Sequence, residues 1–142
     1  MVGTEAPEAP LQGGCLCGAV RYEITAPLLS AGYCHCTHCQ HRTGTGSSAN
    51  GRVARAAFRI LQGSEQLRSY QPPAGVPKVF CMACGSALFS GDPLADEVGV
   101  RLGTLDGDPV IRPSYRQFVD PAVAWEAIPD DGLKRHPRSR QA

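Results

Sequence analysis

At 142 residues the chain has the length of one domain, enough to bury roughly two-thirds of its unfolded surface in a single core. Glycine and proline supply 28 of those residues, about a fifth against a usual share of roughly 12%, which excludes an architecture of long helices. Fourteen basic against thirteen acidic side chains leave a net charge of +1, so no nucleic-acid or anionic-membrane footprint is present, and no stretch reaches the ~18 apolar residues of a membrane span.

Residues 1–12 carry two glutamates and two prolines and no apolar export leader, and are expected to form a flexible tail on a cytoplasmic protein. A single domain is expected over 13–133, followed by a polar basic tail at 134–142. Within the domain, short alternating segments separated by glycine and proline predict an all-β, loop-rich fold with little helix. Ala19 to Ile24 alternates with period two, which puts Val20, Tyr22 and Ile24 on one face. Phe58–Leu61 ends at Gln62-Gly63-Ser64, a turn after which Gln66–Tyr70 is expected to return beside it. Lys78–Phe80 and Ala87–Phe89 read as a hairpin with a cysteine pair at its tip. Glu97–Leu102 alternates and stops at Gly103. A helical turn or two is expected after Cys39, ended by Gly44. With nine aromatic residues the core is thin, so bound metal would supply missing stability.

The seven cysteines are the chemical signal. An odd number without an export leader points away from disulfides and towards metal ligation. They fall into Cys15-x-Cys17, Cys34-x-Cys36-x-x-Cys39 and Cys81-x-x-Cys84. Zinc takes four soft ligands in a tetrahedron at about 2.3 Å. The first and third groups supply two sulfurs each, and Gly85 after Cys84 suits the left-handed turn that aims backbone N–H groups at sulfur. Cys34, Cys36 and Cys39 leave a three-sulfur site with one open position, or a closed site if His38 or His41 completes it. His35, between two cysteines that face one way along an extended chain, would face the other way.

Taken together, Gly13–Glu23, Cys34–Cys39 with Thr43-Gly44, Phe80–Phe89 and Gly103–Asp106 resemble the glutathione-dependent formaldehyde-activating enzyme family, shared with the centromere protein V group. Gln40 stands where members commonly carry a basic residue. The resemblance implies a β-tent of coiled antiparallel sheets holding two Zn²⁺ per chain. It places a structural zinc on Cys15, Cys17, Cys81 and Cys84, and a catalytic-type zinc on Cys34, Cys36 and Cys39. The reaction it implies is a carbon–sulfur lyase chemistry, the formation of S-hydroxymethylglutathione from formaldehyde and glutathione, or from a related aldehyde and thiol.

On that expectation His38 or His41 could move the proton, and Arg42, Arg52 and Arg101 are candidate anchors for carboxylates. Phe118 and Trp125 are candidates for the pocket wall or the core, and Asp106 for supporting the turn after Gly103. The alternative is a two-zinc β module that binds a protein partner without catalysis.

Overall fold

The structure, a computed structural model, describes residues 10–141; residues 1–9 of the expected N-terminal tail lie outside the described residues. Among the described residues eleven short strands form two sheets beside one seven-residue helix, so the all-β, loop-rich expectation holds. The strands β1 (Leu11–Gly14), β2 (Arg21–Ile24) and β5 (Phe58–Gln62) form a three-stranded antiparallel sheet in the order β1-β2-β5. Leu11 and Gln12, assigned from sequence to the tail, are part of β1, because Leu11 is buried and its strand is paired with β2.

The larger sheet takes the remaining eight strands. They are β3 (Ser30–Cys34), β4 (Ser48–Ala54), β6 (Leu67–Tyr70), β7 (Lys78–Cys81), β8 (Ala87–Ser90), β9 (Glu97–Arg101), β10 (Tyr115–Gln117) and β11 (Lys134–Arg135). Their order is β11-β10-β3-β4-β9-β8-β7-β6, antiparallel except where β10 runs parallel to both β3 and β11. The β7–β8 hairpin forms as expected, with Cys81 ending β7. The expected hairpin of 58–61 with 66–70 does not. Gly63 turns left-handed (φ 82°) into a short 3₁₀ turn, and the chain passes from the small sheet to the edge of the large one, where β6 pairs with β7.

The core fills the space between the sheets. Val20, Tyr22 and Ile24 are all buried on one face, as their alternation requires, and they meet Val53, Leu88, Val98 and Val100 from the larger sheet. Each such side chain contributes roughly 1.5–3 kcal/mol by leaving water. The Phe58 ring bridges the sheets, 5.2 Å from the Tyr22 ring and 4.9 Å from that of Phe89. The Tyr22 hydroxyl shares a hydrogen bond with Thr104 at 2.6 Å, which satisfies its one buried polar atom.

Helix α1 (Thr37–Thr43) begins two residues before Cys39 rather than after it, because the Cys36 sulfur caps it by accepting the Cys39 N–H at 3.4 Å. It ends at Gly44, left-handed at φ 68°, whose N–H reaches the Gln40 carbonyl at 2.8 Å. The Gln40 side chain donates to the carbonyls of His35 and Pro121 at 2.8 and 3.0 Å, tying the helix to the segment after β10.

The segment 134–141, read from sequence as a basic tail, lies against the larger sheet. Beyond β11, Phe118 donates to the Arg138 carbonyl at 3.0 Å, and the Arg140 guanidinium covers the Tyr115 ring at 4.5 Å while donating to Ser30 at 3.0 Å.

Gly32 on β3 sits directly beneath the Tyr115 ring, so a Cβ there would overlap the ring. Tyr115 is buried, so it has little room to withdraw. Gly32→Ala is therefore expected to lower unfolding free energy by about 1–3 kcal/mol, the usual cost of overpacking. Urea denaturation checks this, and a parent-like midpoint would contradict the packing described.

Candidate functional site

All seven cysteines are free, and they collect into two groups. The sulfurs of Cys15, Cys17, Cys81 and Cys84 lie within 4.8 Å of one another, as do those of Cys34, Cys36 and Cys39. Among the described residues no histidine, aspartate or glutamate joins either group.

The quartet joins the two sheets. Cys15 follows β1, Cys81 ends β7, and both belong to the hydrophobic core, whereas Cys17 is exposed. Sulfur spacings are 3.6 Å for Cys15–Cys17 and 3.9 Å for Cys17–Cys81. An ideal tetrahedron with 2.3 Å metal–sulfur bonds has edges of about 3.8 Å, so the donor set fits a zinc-sized ion. Backbone turns hold the sulfurs. Gly18 and Gly85 are left-handed (φ 81° and 79°), and Gly85 donates to the Cys81 carbonyl at 2.7 Å. The Val20 N–H reaches Cys15 Sγ at 3.3 Å. Ser86 links the two halves: its oxygen accepts the Leu16 N–H at 2.9 Å and lies 3.2 Å from Cys84 Sγ. That hydroxyl, helped by backbone N–H groups, holds the Cys84 thiol down to about 5.

The trio is assembled where β3 meets α1. Cys34 closes the strand, Cys36 caps the helix and Cys39 lies in its first turn; Cys34 and Cys39 are buried and Cys36 is partly open. The sulfurs hold protons unequally. Hydrogen bonding from Cys34 and Cys36, aided by Ser48 and Arg101, pulls the Cys39 thiol far below the thiol range, and hydrogen bonding with Cys36 and Cys39 pushes Cys34 up. Three sulfur donors so close together fit a soft divalent ion.

None of the candidate histidines is a fourth ligand in this arrangement. His35 faces away from the trio: its Nε2 lies 3.2 Å from Arg116, which pairs with Asp131 at 2.8 Å, and burial followed by the Arg116 charge pushes its pKa down. His41 Nδ1 lies 3.0 Å from the Thr37 carbonyl on its own helix. His38 lines the space beside the trio.

That space is a cavity of about 740 Å³ with all three cysteines in its wall. Five cationic side chains also line it, Arg52, Lys78, Arg101, Arg138 and Arg140, and no acidic residue does among the described residues. Arg52 is paired with Glu97 at 3.3 Å and Arg138 with Asp120 at 3.8 Å. A neighbouring cleft of about 540 Å³ shares Thr37, His38 and Lys78 with the cavity and is walled by Arg42, Tyr70 and Phe80.

Of the residues singled out from sequence, Arg52, Arg101, His38 and Phe118 therefore meet at the cavity. Arg42 is instead turned into the sheet, donating to the carbonyls of Val79 and Phe89 at 2.6 and 3.2 Å. Trp125 is 71% exposed and serves neither the core nor the cavity. Asp106 pairs with Arg21, and its N–H anchors the turn on the Gln12 carbonyl at 2.8 Å. Lys78, Ser48, Asn50 and the two arginines after β11 were not found from sequence.

Because Cys81 is wholly buried in the core and its sulfur belongs to the group joining the sheets, Cys81→Ser is expected to abolish cooperative unfolding and to remove one bound metal ion per chain. Thermal melting followed by circular dichroism, with metal analysis of the same samples, checks this. A parent-like melt would contradict the structural part assigned to the quartet.

Comparison with known proteins gives the chain its relatives. The profile of the family described as glutathione-dependent formaldehyde-activating enzyme matches residues 10–121, a span that includes all seven cysteines. A Halomonas elongata protein, named provisionally as a glutathione-dependent formaldehyde-activating enzyme, is 32% identical over 89 residues. That match covers 58% of this chain and 57% of the relative, a little over half the length of each. A crystal structure of a Rhodobacter sphaeroides protein superposes with a TM-score of 0.57 at 25% identity, covering 88% of this chain and 98% of that one. With most of its length inside the family profile, the chain belongs to the glutathione-dependent formaldehyde-activating enzyme family.

Proposed function

We propose that the chain is a zinc-dependent carbon–sulfur lyase-type enzyme that joins glutathione to formaldehyde as S-hydroxymethylglutathione. The observation that carries this reading is the trio of cysteines opening into a cavity lined by five cations and, among the described residues, no acid. Membership of the family supports the substrate pair. Cys15, Cys17, Cys81 and Cys84 would hold a structural Zn²⁺, and Cys34, Cys36 and Cys39 a catalytic-type one. A divalent zinc on the trio would supply Lewis-acid polarisation and stabilise a thiolate at neutral pH.

The protein's own side chains do the rest. Glutathione carries two carboxylates, and Lys78 and Arg140, which have no ion pair among the described residues, are free to receive them. Burial pushes the Lys78 ammonium pKa down, and the positive charges of Arg42 and Arg101 add to that against the pull of Cys39, so an entering anion relieves the crowding of cations. The reaction forms one bond between the glutathione sulfur and the formaldehyde carbon, and the thiol proton ends on the former carbonyl oxygen. His38, on the cavity wall, is placed to carry that proton. Phe118, held left-handed at φ 56°, adds an apolar side to the same cavity.

Cys36→Ser is expected to leave a folded protein with one metal ion fewer and no acceleration of glutathione-dependent formaldehyde consumption above the uncatalysed rate. Unchanged turnover would reject the enzyme reading in favour of a non-catalytic zinc module. Arg140→Ala is expected to raise KM for glutathione roughly threefold to fivefold with kcat little changed, the scale of one partly exposed charge contact. An unchanged KM would remove Arg140 from the binding site.

A further inference from the structure

A buried arginine ordinarily faces a carboxylate, because an uncompensated charge out of water costs several kcal/mol. Arg101, only 9% exposed at the end of β9, has no such partner. Its Nη1 donates to Asn50 and lies 4.0 Å from Cys39 Sγ, and its Nε has no hydrogen-bond partner. Arg42 and Lys78, whose pKa values are lowered first by burial and further by the Arg101 charge, add two further cations to this neighbourhood. Among the described residues none of these three cations has a carboxylate within ion-pair reach. Of the groups that touch Arg101 among the described residues, the Cys39 sulfur is the one able to carry negative charge.

The strand register builds the arrangement. Asn50 on β4 stands opposite Arg101 on β9, and two residues earlier Ser48 stands opposite Cys34 on β3. Period two puts Ser48 and Asn50 on one face, where the Asn50 amide donates to the Ser48 hydroxyl at 2.8 Å while its oxygen receives Arg101. The quartet differs in kind. No lysine or arginine donates to its sulfurs among the described residues; hydrogen bonds from Val20 and Ser86 and the exposure of Cys17 take that part.

We propose that Arg101, oriented by Asn50, is a positioning residue that balances the net negative charge of three thiolates on a divalent ion and so sets how tightly the trio holds that ion. The proposal rests on the reading above that the trio binds metal. It concerns the second metal alone and leaves the quartet untouched.

The test is competition for zinc between the full-length, reduced, zinc-loaded chain and a chromophoric chelator, repeated with the cobalt-loaded chain to follow the thiolate charge-transfer absorption. Cys36→Ser identifies the quartet's share of the signal. Arg101→Met is expected to weaken the trio's zinc binding by roughly 10–100-fold, the range for losing an outer partner of a metal ligand, with quartet affinity unchanged. Arg101→Lys is expected to recover most of that loss because the charge returns.

Asn50→Asp keeps the volume and sets an opposite charge against the guanidinium, and is expected to weaken the trio as Arg101→Met does. Parent-like affinity in Arg101→Met overturns the proposal. So do equal losses in the Lys and Met variants, which would make the role one of shape. Where Arg101→Met fails to fold, Asn50→Asp decides alone, and parent-like affinity there overturns the proposal. A parent chain that binds one zinc only, at the quartet, would instead overturn the functional reading itself, and the proposal with it.

Discussion

Sulfur gathered from distant parts of the chain is the constraint on which this fold depends. Cys15 comes from the small sheet and Cys81 from the large one, and their group closes the same interface that Tyr22, Phe58 and Phe89 fill with aromatic surface. Without an ion, four thiol groups in contact at a partly open seam attract one another weakly. With one, the seam becomes a covalent-strength cross-link between sheets whose strands are only two to seven residues long. Such a clamp would limit how far the sheets can separate and so make short strands and many glycines tolerable.

The second sulfur group obeys a different logic. It is set into the large sheet at the end of β3, with Cys34 and Cys39 buried and Cys36 partly open to the cavity. Positive side chains take over the role that solvent plays at the quartet. They come from several separate elements, β4, β7, β9 and the segment after β11, so the cavity exists only when the whole large sheet is in place. One sulfur group thus serves the architecture, and the other is served by it.

Much of this was legible in the sequence, for physical reasons that can be named. Pairwise cysteine spacing gave the four-plus-three partition, because a two-residue turn or a one-residue extended step puts both sulfurs on one side. Alternation marked the core face of β2, and an unbroken hairpin pattern marked β7 and β8. Strands β3 and β4 escaped notice, since Ser30-Ala-Gly-Tyr has a single aromatic and no branched residue, and Ser48-Ala-Asn-Gly has neither of the types that advertise a strand. They are strands because close packing under Tyr115 and between neighbours admits only small side chains. Missing β4 hid Ser48 and Asn50, whose common face is apparent only once the period-two backbone is known. The basic residues after 133 read as solvated charge, and their pairing with β10 depends on contacts that no local pattern encodes.

The seam between the sheets also governs how the chain must be born. Cys17 and Cys81 are 64 positions apart. At ~5–20 residues per second of synthesis, the first pair of thiols waits several seconds for its counterpart, with the other three emerging in between. During that interval every sulfur competes for the same ions and the same oxidants, and a wrong disulfide between groups would lock the nascent chain out of its fold. If the quartet holds an ion, yield of the folded protein is tied to the thiol poise and the metal supply of the compartment that makes it, as much as to the strength of its apolar interior.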